Sequence, residues 1–174
     1  MKIMAPKNMA TGSLLHVGCG SEPLPEWLAG FTETRLDINP AVNPDIVASM
    51  LDLGDIGPFD AILCVHALEH LSPHEVAIAL AEFRRVLRDG GHLMVFVPDL
   101  EGVQPTDDVL FESPAGPISG LDLIYGFRPA LADNPYMQHK TGFVQDTLRR
   151  ALSGFSRVIV NRLSCYDMMG VAVK

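Results

Sequence analysis

Phe59 to His66 (FDAILCVH) is apolar almost without a break. A short run of this kind, with no alternation between apolar and polar positions, reads as a strand buried on both faces, as in the centre of a parallel sheet. A parallel neighbour needs a crossover, and a helix suited to that role comes next. Ser72-Pro73-His74-Glu75 is a capping box with proline at the first helical position, and Val76, Ala79, Leu80, Phe83, Val86 and Leu87 recur at helical spacing. Arg84, Arg85 and Arg88 put positive charge where the helix dipole favours it, and Gly90-Gly91 is expected to stop the helix. His92 to Val97 is the next strand, ended by Pro98.

The same grammar extends to both ends. Leu14 to Val17 is a buried strand closed by Gly18-Cys19-Gly20. Pro23 to Ala29 reads as a short, proline-weakened helix, Thr34 to Ile38 as a second strand and Asp45 to Met50 as a third. Phe143 to Leu152 is a helix, and Arg157 to Leu163 with Met168 to Val173 form an antiparallel hairpin. Between Pro98 and Lys140 the chain is rich in proline and acid, with Arg128 and Lys140 as its basic residues, and reads as a long functional or mobile connection. Strand–helix alternation of this kind predicts an α/β fold in one domain spanning residues 1–174, with a leader at 1–12 and a variable substrate or lid region at 98–140.

Charge and composition exclude several classes. A net charge of −8 without a basic cluster opposes nucleic-acid binding. No run approaches the roughly 18 apolar residues of a membrane helix. Cys19, Cys64 and Cys165 form no CxxC pair, which argues against a disulfide framework and for a reducing cytoplasm. Cys64 and Cys165 read as core residues. An apolar fraction of 48% leaves room for a homodimer.

Ligands on such sheets bind beyond the carboxyl ends of the strands. There the glycine turn lets a backbone approach a ligand, and Asp37, ending the second strand, is placed to accept both hydroxyls of a ribose. The two features together imply an adenosine-type ligand. Pro23 stands where a dinucleotide fold wants its third glycine, so a pyrophosphate seat is poorly supported and a ligand without phosphates fits better.

With these residues in view, the chain resembles the class I S-adenosylmethionine-dependent methyltransferases. HVGCGS is similar to their first motif, RLDI to the second, FDAILCVHALEHL to the fourth-strand motif of the small-molecule subgroup, and VLRDGGHLMVFVPD to the glycine-paired turn before the fifth strand. HKTGFVQDTLRRALSGFSRVIV resembles the family's C-terminal helix and strand, and CGSEPLPEWL with VPDLEG and HKTGF resembles a subgroup whose substrates are largely unassigned. The resemblance implies a Rossmann-like, doubly wound, mainly parallel seven-stranded sheet with an antiparallel C-terminal strand hairpin. It implies S-adenosyl-L-methionine as cofactor, and the leading reading is methyl transfer to the oxygen of a small-molecule acceptor.

Carried over residue by residue, Gly18, Cys19, Gly20 and Ser21 would border the methionine moiety, Asp37 the ribose and Ile38 the adenine. Ser49 and Met50 stand where the family usually has an acid for the adenine amino group, with Asp52 nearby as a substitute. Cys64 and His66 would line the methyl-donor end. His66 is the first candidate for a general base and His139 the second. Cys64-Val65-His66-Ala67 lacks the tetrad of enzymes acting on amide or base nitrogens. Phe111, Tyr125, Phe127 and Tyr136 offer an acceptor wall, or else pins for the long loop. His66, His70 and His74 are spaced for a metal on one helix, but a strand end and a new helix separate them, so no metal site is expected. Two other readings remain: a binding module that has lost catalysis, and a nicotinamide-nucleotide oxidoreductase.

Overall fold

The structure, a computed structural model, describes residues 11–163 and 166–174. Strand β1 (Gly12–Val17) leads to β2 (Phe31–Asp37), β3 (Ile46–Val47) and β4 (Phe59–Val65), then helix α1 (Pro73–Val86) and β5 (Leu87–Pro98). A separate hairpin, β6 (Val109–Ser113) and β7 (Gly116–Ser119), precedes α2 (Gly120–Tyr125). The chain ends with α3 (Gln145–Ala151), β8 (Ser156–Arg162) and β9 (Asp167–Val173). The main sheet has seven strands in the order β3-β2-β1-β4-β5-β9-β8. Its first five members pair in parallel, whereas β9 is antiparallel to both β5 and β8. The predicted α/β class and terminal hairpin are therefore present.

Alternate residues of the strands divide the core. Leu15, Val17, Ile62, Cys64, Leu93 and Val95 face α1 and α3, which contribute Val76, Leu80, Phe83 and Leu148. Truncating a fully buried aromatic such as Phe83 to alanine costs about 3–5 kcal/mol. Leu14, Ala61, Leu63, Met94 and Phe96 face the other side, where Leu24, Trp27 and Leu28 cover them. The β1–β2 and β4–β5 connections lead to opposite sides of the sheet's centre, so right-handed crossovers pass over opposite faces. Strand order reverses between β1 and β4, which opens a crevice at their carboxyl ends.

The local differences from expectation have physical causes. Pro23 to Ala29 contains only a 3-10 turn, Glu26–Leu28, because Pro23 and Pro25 withhold N–H donors. The third strand shrinks to two residues, and β2 runs from Phe31 to Asp37, leaving Ile38 outside it. Gly90-Gly91 does not end α1. The helix stops at Val86 and the glycines lie within β5, beside an irregularity in its pairing with β4. The Pro98–Lys140 region is not one irregular loop, since it folds β6, β7 and α2. Residues 1–10 of the expected leader, and Cys165 with its expected core position, lie outside the described residues. No helix among the described residues is long and apolar enough to cross a membrane.

Candidate active site

The turn after β1 requires glycine for two separate reasons. Gly18 and Gly20 both have left-handed backbones, with φ of +63° and +50°. A Cβ on Gly18 would also sit 2.6 Å from the Cβ of Ala67, at the end of β4. The turns at the two strand tips therefore touch. The Gly18 and Cys19 N–H groups donate to Leu36 O at 2.8 and 3.2 Å, which ties the turn to β2.

Asp37 closes the arrangement. Its Oδ2 accepts from Gly20 N and its Oδ1 from Asn39 N, both at 2.9 Å. A carboxylate offers about four lone-pair sites, so roughly two remain for hydroxyl donors in the cleft that Asp37 lines. Arg35 holds the turn from outside, donating through Nη2 to Gly20 O at 2.7 Å and through Nη1 to Glu22 O at 2.9 Å. His16, buried under this rim, pairs through Nδ1 with Glu33 Oε1 at 2.7 Å. Burial lowers the His16 imidazole from its ordinary value, against the pull of Glu33. Sequence reasoning missed Arg35, Glu33 and His16. The signal was the i, i+2 spacing of Glu33, Arg35 and Asp37 along one strand, legible only once the strand was known to border the crevice.

The cleft has a volume of about 960 Å³. Gly18, Cys19, Gly20, Asp37, Ile38, Ser49, Met50 and His66 all line it, as carried over from sequence. Three assignments need correction. Cys64 is fully buried in the core against α1, and burial pushes its thiol far above its ordinary value; Leu63 and Val65 face the cleft instead. Ser21 is exposed and outside the lining. Asp52 is exposed and caps Gly54 N at 3.1 Å, so it does not replace the missing acid near Ser49.

His66 lies just past β4 in a left-handed conformation, φ +47°, rare for a residue with a side chain. Its side chain is 45% exposed, with Nδ1 3.4 Å from Glu69 Oε1 and Nε2 3.5 Å from Asp167 Oδ1. Burial works to lower this imidazole, but the Glu69 carboxylate and then Asp167 outweigh it, so its pKa is raised. Burial also raises the Asp167 carboxyl, against the attraction of His66.

Part of the lining comes from the long excursion after β5. Asn134 to Gln138 and Lys140 line the cleft together with the glycine turn. Of the four expected aromatics only Tyr136 lines it, and Phe111 instead stacks on Tyr166 with centroids 6.0 Å apart. This segment is pinned to the turn after β4. Lys140 N and Thr141 N donate to Glu69 O at 2.8 and 3.1 Å, and Thr141 Oγ1 donates to Leu71 O at 2.7 Å. His139, predicted to act in the cleft, sits one layer behind it, with Nδ1 2.8 Å from Leu123 O, and lines a small adjoining void with Glu69. Burial lowers its imidazole from the ordinary value.

Residues 15–95 match the family described as Methyltransferase domain. Over that stretch, just under half of its length, the chain is similar to a methyltransferase domain. The domain's fold is similar to that of an S-adenosylmethionine-dependent methyltransferase from Archaeoglobus fulgidus, with a TM-score of 0.64 at 16% identity, covering 95% of this chain and 87% of that one. A Burkholderia thailandensis 1,6-didemethyltoxoflavin-N1-methyltransferase, solved with 1,6-didemethyltoxoflavin and S-adenosylhomocysteine, gives 0.62 at 16% identity over 94% and 71%. A putative O-methyltransferase from Nostoc punctiforme gives 0.64 at 13% identity over 93% and 51%. No curated protein matches the chain in sequence.

Proposed function

We propose that the methyltransferase domain binds S-adenosylmethionine along the cleft and transfers its methyl group to the oxygen of a small acceptor. The observation that carries this reading is the union of the glycine turn, Asp37 and His66 in the lining of one large cleft. The ribose hydroxyls would donate to the free lone pairs of Asp37, the methionine would lie along Gly18 to Gly20, and Ile38 and Met50 would flank the adenine. The sulfonium end would then face His66.

When bound, S-adenosylmethionine would supply the methyl group to the acceptor oxygen and leave as S-adenosylhomocysteine, with the S–CH3 electron pair kept on sulfur. His66 would take the proton that the acceptor hydroxyl gives up. Little acid–base power is needed, because a sulfonium is already a strong electrophile and positioning supplies much of the rate. The excursion supplies Asn134 to Gln138 and Lys140 to the cleft lining, so acceptor choice is assigned to it. Both N- and O-methyltransferases occur among the structural neighbours, and oxygen is favoured here because Cys64-Val65-His66-Ala67 lacks the tetrad of enzymes acting on amide or base nitrogens.

Calorimetric titration with S-adenosylhomocysteine, S-adenosylmethionine and NADH tests the reading. The two sulfur ligands should bind, NADH should not, and Asp37→Ala should weaken binding by about 1–3 kcal/mol. Tight NADH binding, or unchanged affinity in the variant, would overturn it.

A further inference from the structure

We propose that Glu69, His70 and His139 form a site for one divalent transition-metal ion of the zinc class at the edge of the cleft. One donor atom from each residue lies within 4.8 Å of the other two, so a small inward adjustment brings all three to a common cation. The cluster unites a turn after β4 with the end of the excursion, residues far apart in the chain.

Two observations make this more than a cluster of polar groups. The first is Glu69, which is 1% exposed and whose two carboxylate oxygens have no hydrogen-bond partner. His66 Nδ1 lies 3.4 Å from Glu69 Oε1, an ion-pair distance for an imidazolium but outside hydrogen-bonding geometry. A buried carboxylate is normally paired, or it coordinates a metal. The second is the state of the two histidines. His70 Nδ1 faces Gln138 O at 3.2 Å, and His139 Nδ1 faces Leu123 O at 2.8 Å. A carbonyl oxygen only accepts, so in each neutral ring Nδ1 carries the proton and Nε2 keeps the lone pair. Neither ring can then donate to Glu69. A cation between them satisfies all three groups, and Nδ1–H bound to a backbone carbonyl is the usual outer-sphere arrangement of a metal-bound histidine.

The donor set selects the ion. Two imidazoles and one carboxylate suit zinc and its first-row neighbours, whereas magnesium and calcium take oxygen ligands. Three protein ligands leave a coordination position open, as in catalytic sites. His70 also lines the main cleft, so that position lies beside the donor end. The ion would there hold the acceptor hydroxyl and lower its pKa. That role rests on the methyl-transfer reading, and the site itself does not.

The test is a zinc titration of tag-free, chelator-treated full chain against a chromophoric competitor, with S-adenosylhomocysteine binding measured in parallel. One zinc per chain is expected. His139→Ala, and separately His70→Ala, should weaken it by at least the roughly 10–100-fold that loss of an outer-sphere partner costs. His74→Ala, an exposed change outside the cluster, should leave it intact. Cobalt(II) should give visible d–d bands in the unmodified protein and lose them in either cluster variant, and magnesium should not compete. No zinc binding, or binding indifferent to both variants, overturns the proposal and points to an imidazolium satisfying Glu69. Retained S-adenosylhomocysteine binding in that case keeps the methyl-transfer reading, whereas zinc binding without it removes that reading and keeps the site.

Discussion

Substituting Gly18 by alanine tests whether the two strand tips meet as described. The new Cβ would lie 2.6 Å from the Cβ of Ala67, and the backbone would have to hold φ near +63° with a side chain present. The left-handed backbone costs an L-residue about 1–2 kcal/mol, and forcing a methyl into a packed contact costs about 1–3 kcal/mol more. For a domain of this size the sum lowers Tm by roughly 4–20 °C. Ala67 has an ordinary negative φ of −133°, so Ala67→Gly alone costs only about 0.5–1 kcal/mol of backbone entropy plus a lost methyl contact. In the double variant the clash is gone while the backbone cost stays. Urea unfolding of the four proteins should therefore show a favourable coupling of at least about 1 kcal/mol, well beyond measurement error. Strict additivity, or a Gly18→Ala protein as stable as the parent, would refute the contact between the tips and the register of β1 on β4 that produces it.

Arg35→Lys should keep the fold, because Arg35 is partly exposed, yet loosen the turn it holds through Gly20 O and Glu22 O. Calorimetry should show S-adenosylhomocysteine affinity falling several-fold with Tm nearly unchanged, since an ammonium cannot reproduce the two-pronged contact. Hydrogen bonds from Arg85, and one from Leu53 N–H, hold the Glu82 carboxyl down to about 2 from 4.5. Its folded pKa is depressed, so the stability it contributes is complete above pH 4.5 and is lost as pH falls toward 2. Glu82→Gln should flatten the acid limb of the stability–pH curve in that window, and an unchanged limb would contradict the pairing. Cys64, buried against α1 with its thiol pushed up, should resist a thiol-specific reagent until the protein unfolds.

Much of the fold was legible because its signals are local. FDAILCVH is apolar enough to announce a central strand, and Ser72 with Glu75 marks the start of α1, where Glu75 Oε2 accepts from Ser72 N at 2.7 Å. The hairpin β6–β7 was not legible. Its strands are short, Pro114, Gly116 and Pro117 read as breakers, and its pairing is irregular between Val109 and Phe111. Gly90-Gly91 carried a helix-stop signal that tertiary pairing overrode, since β5 begins as soon as α1 ends. Of the site, the glycine turn and Asp37 follow from strand ends and spacing. Cys64 was misassigned by a single position, because adjacent residues of a strand face opposite sides of the sheet. The grouping of Glu69 and His70 with His139 depends on a long-range return of the chain that no local pattern encodes.

The excursion after β5 leaves and returns at one place. Asp99 bridges to Phe143, and Leu100 N donates to Phe143 O at 2.9 Å, so the two ends of the segment lie side by side on the body. A segment with adjacent, anchored ends behaves as an exchangeable cassette, because replacing its interior alters loop-closure entropy only slowly with length. On the proposed methyl-transfer reading, new acceptor preferences would be open to design or drift within residues 101–137, with the glycine turn and its sheet left untouched.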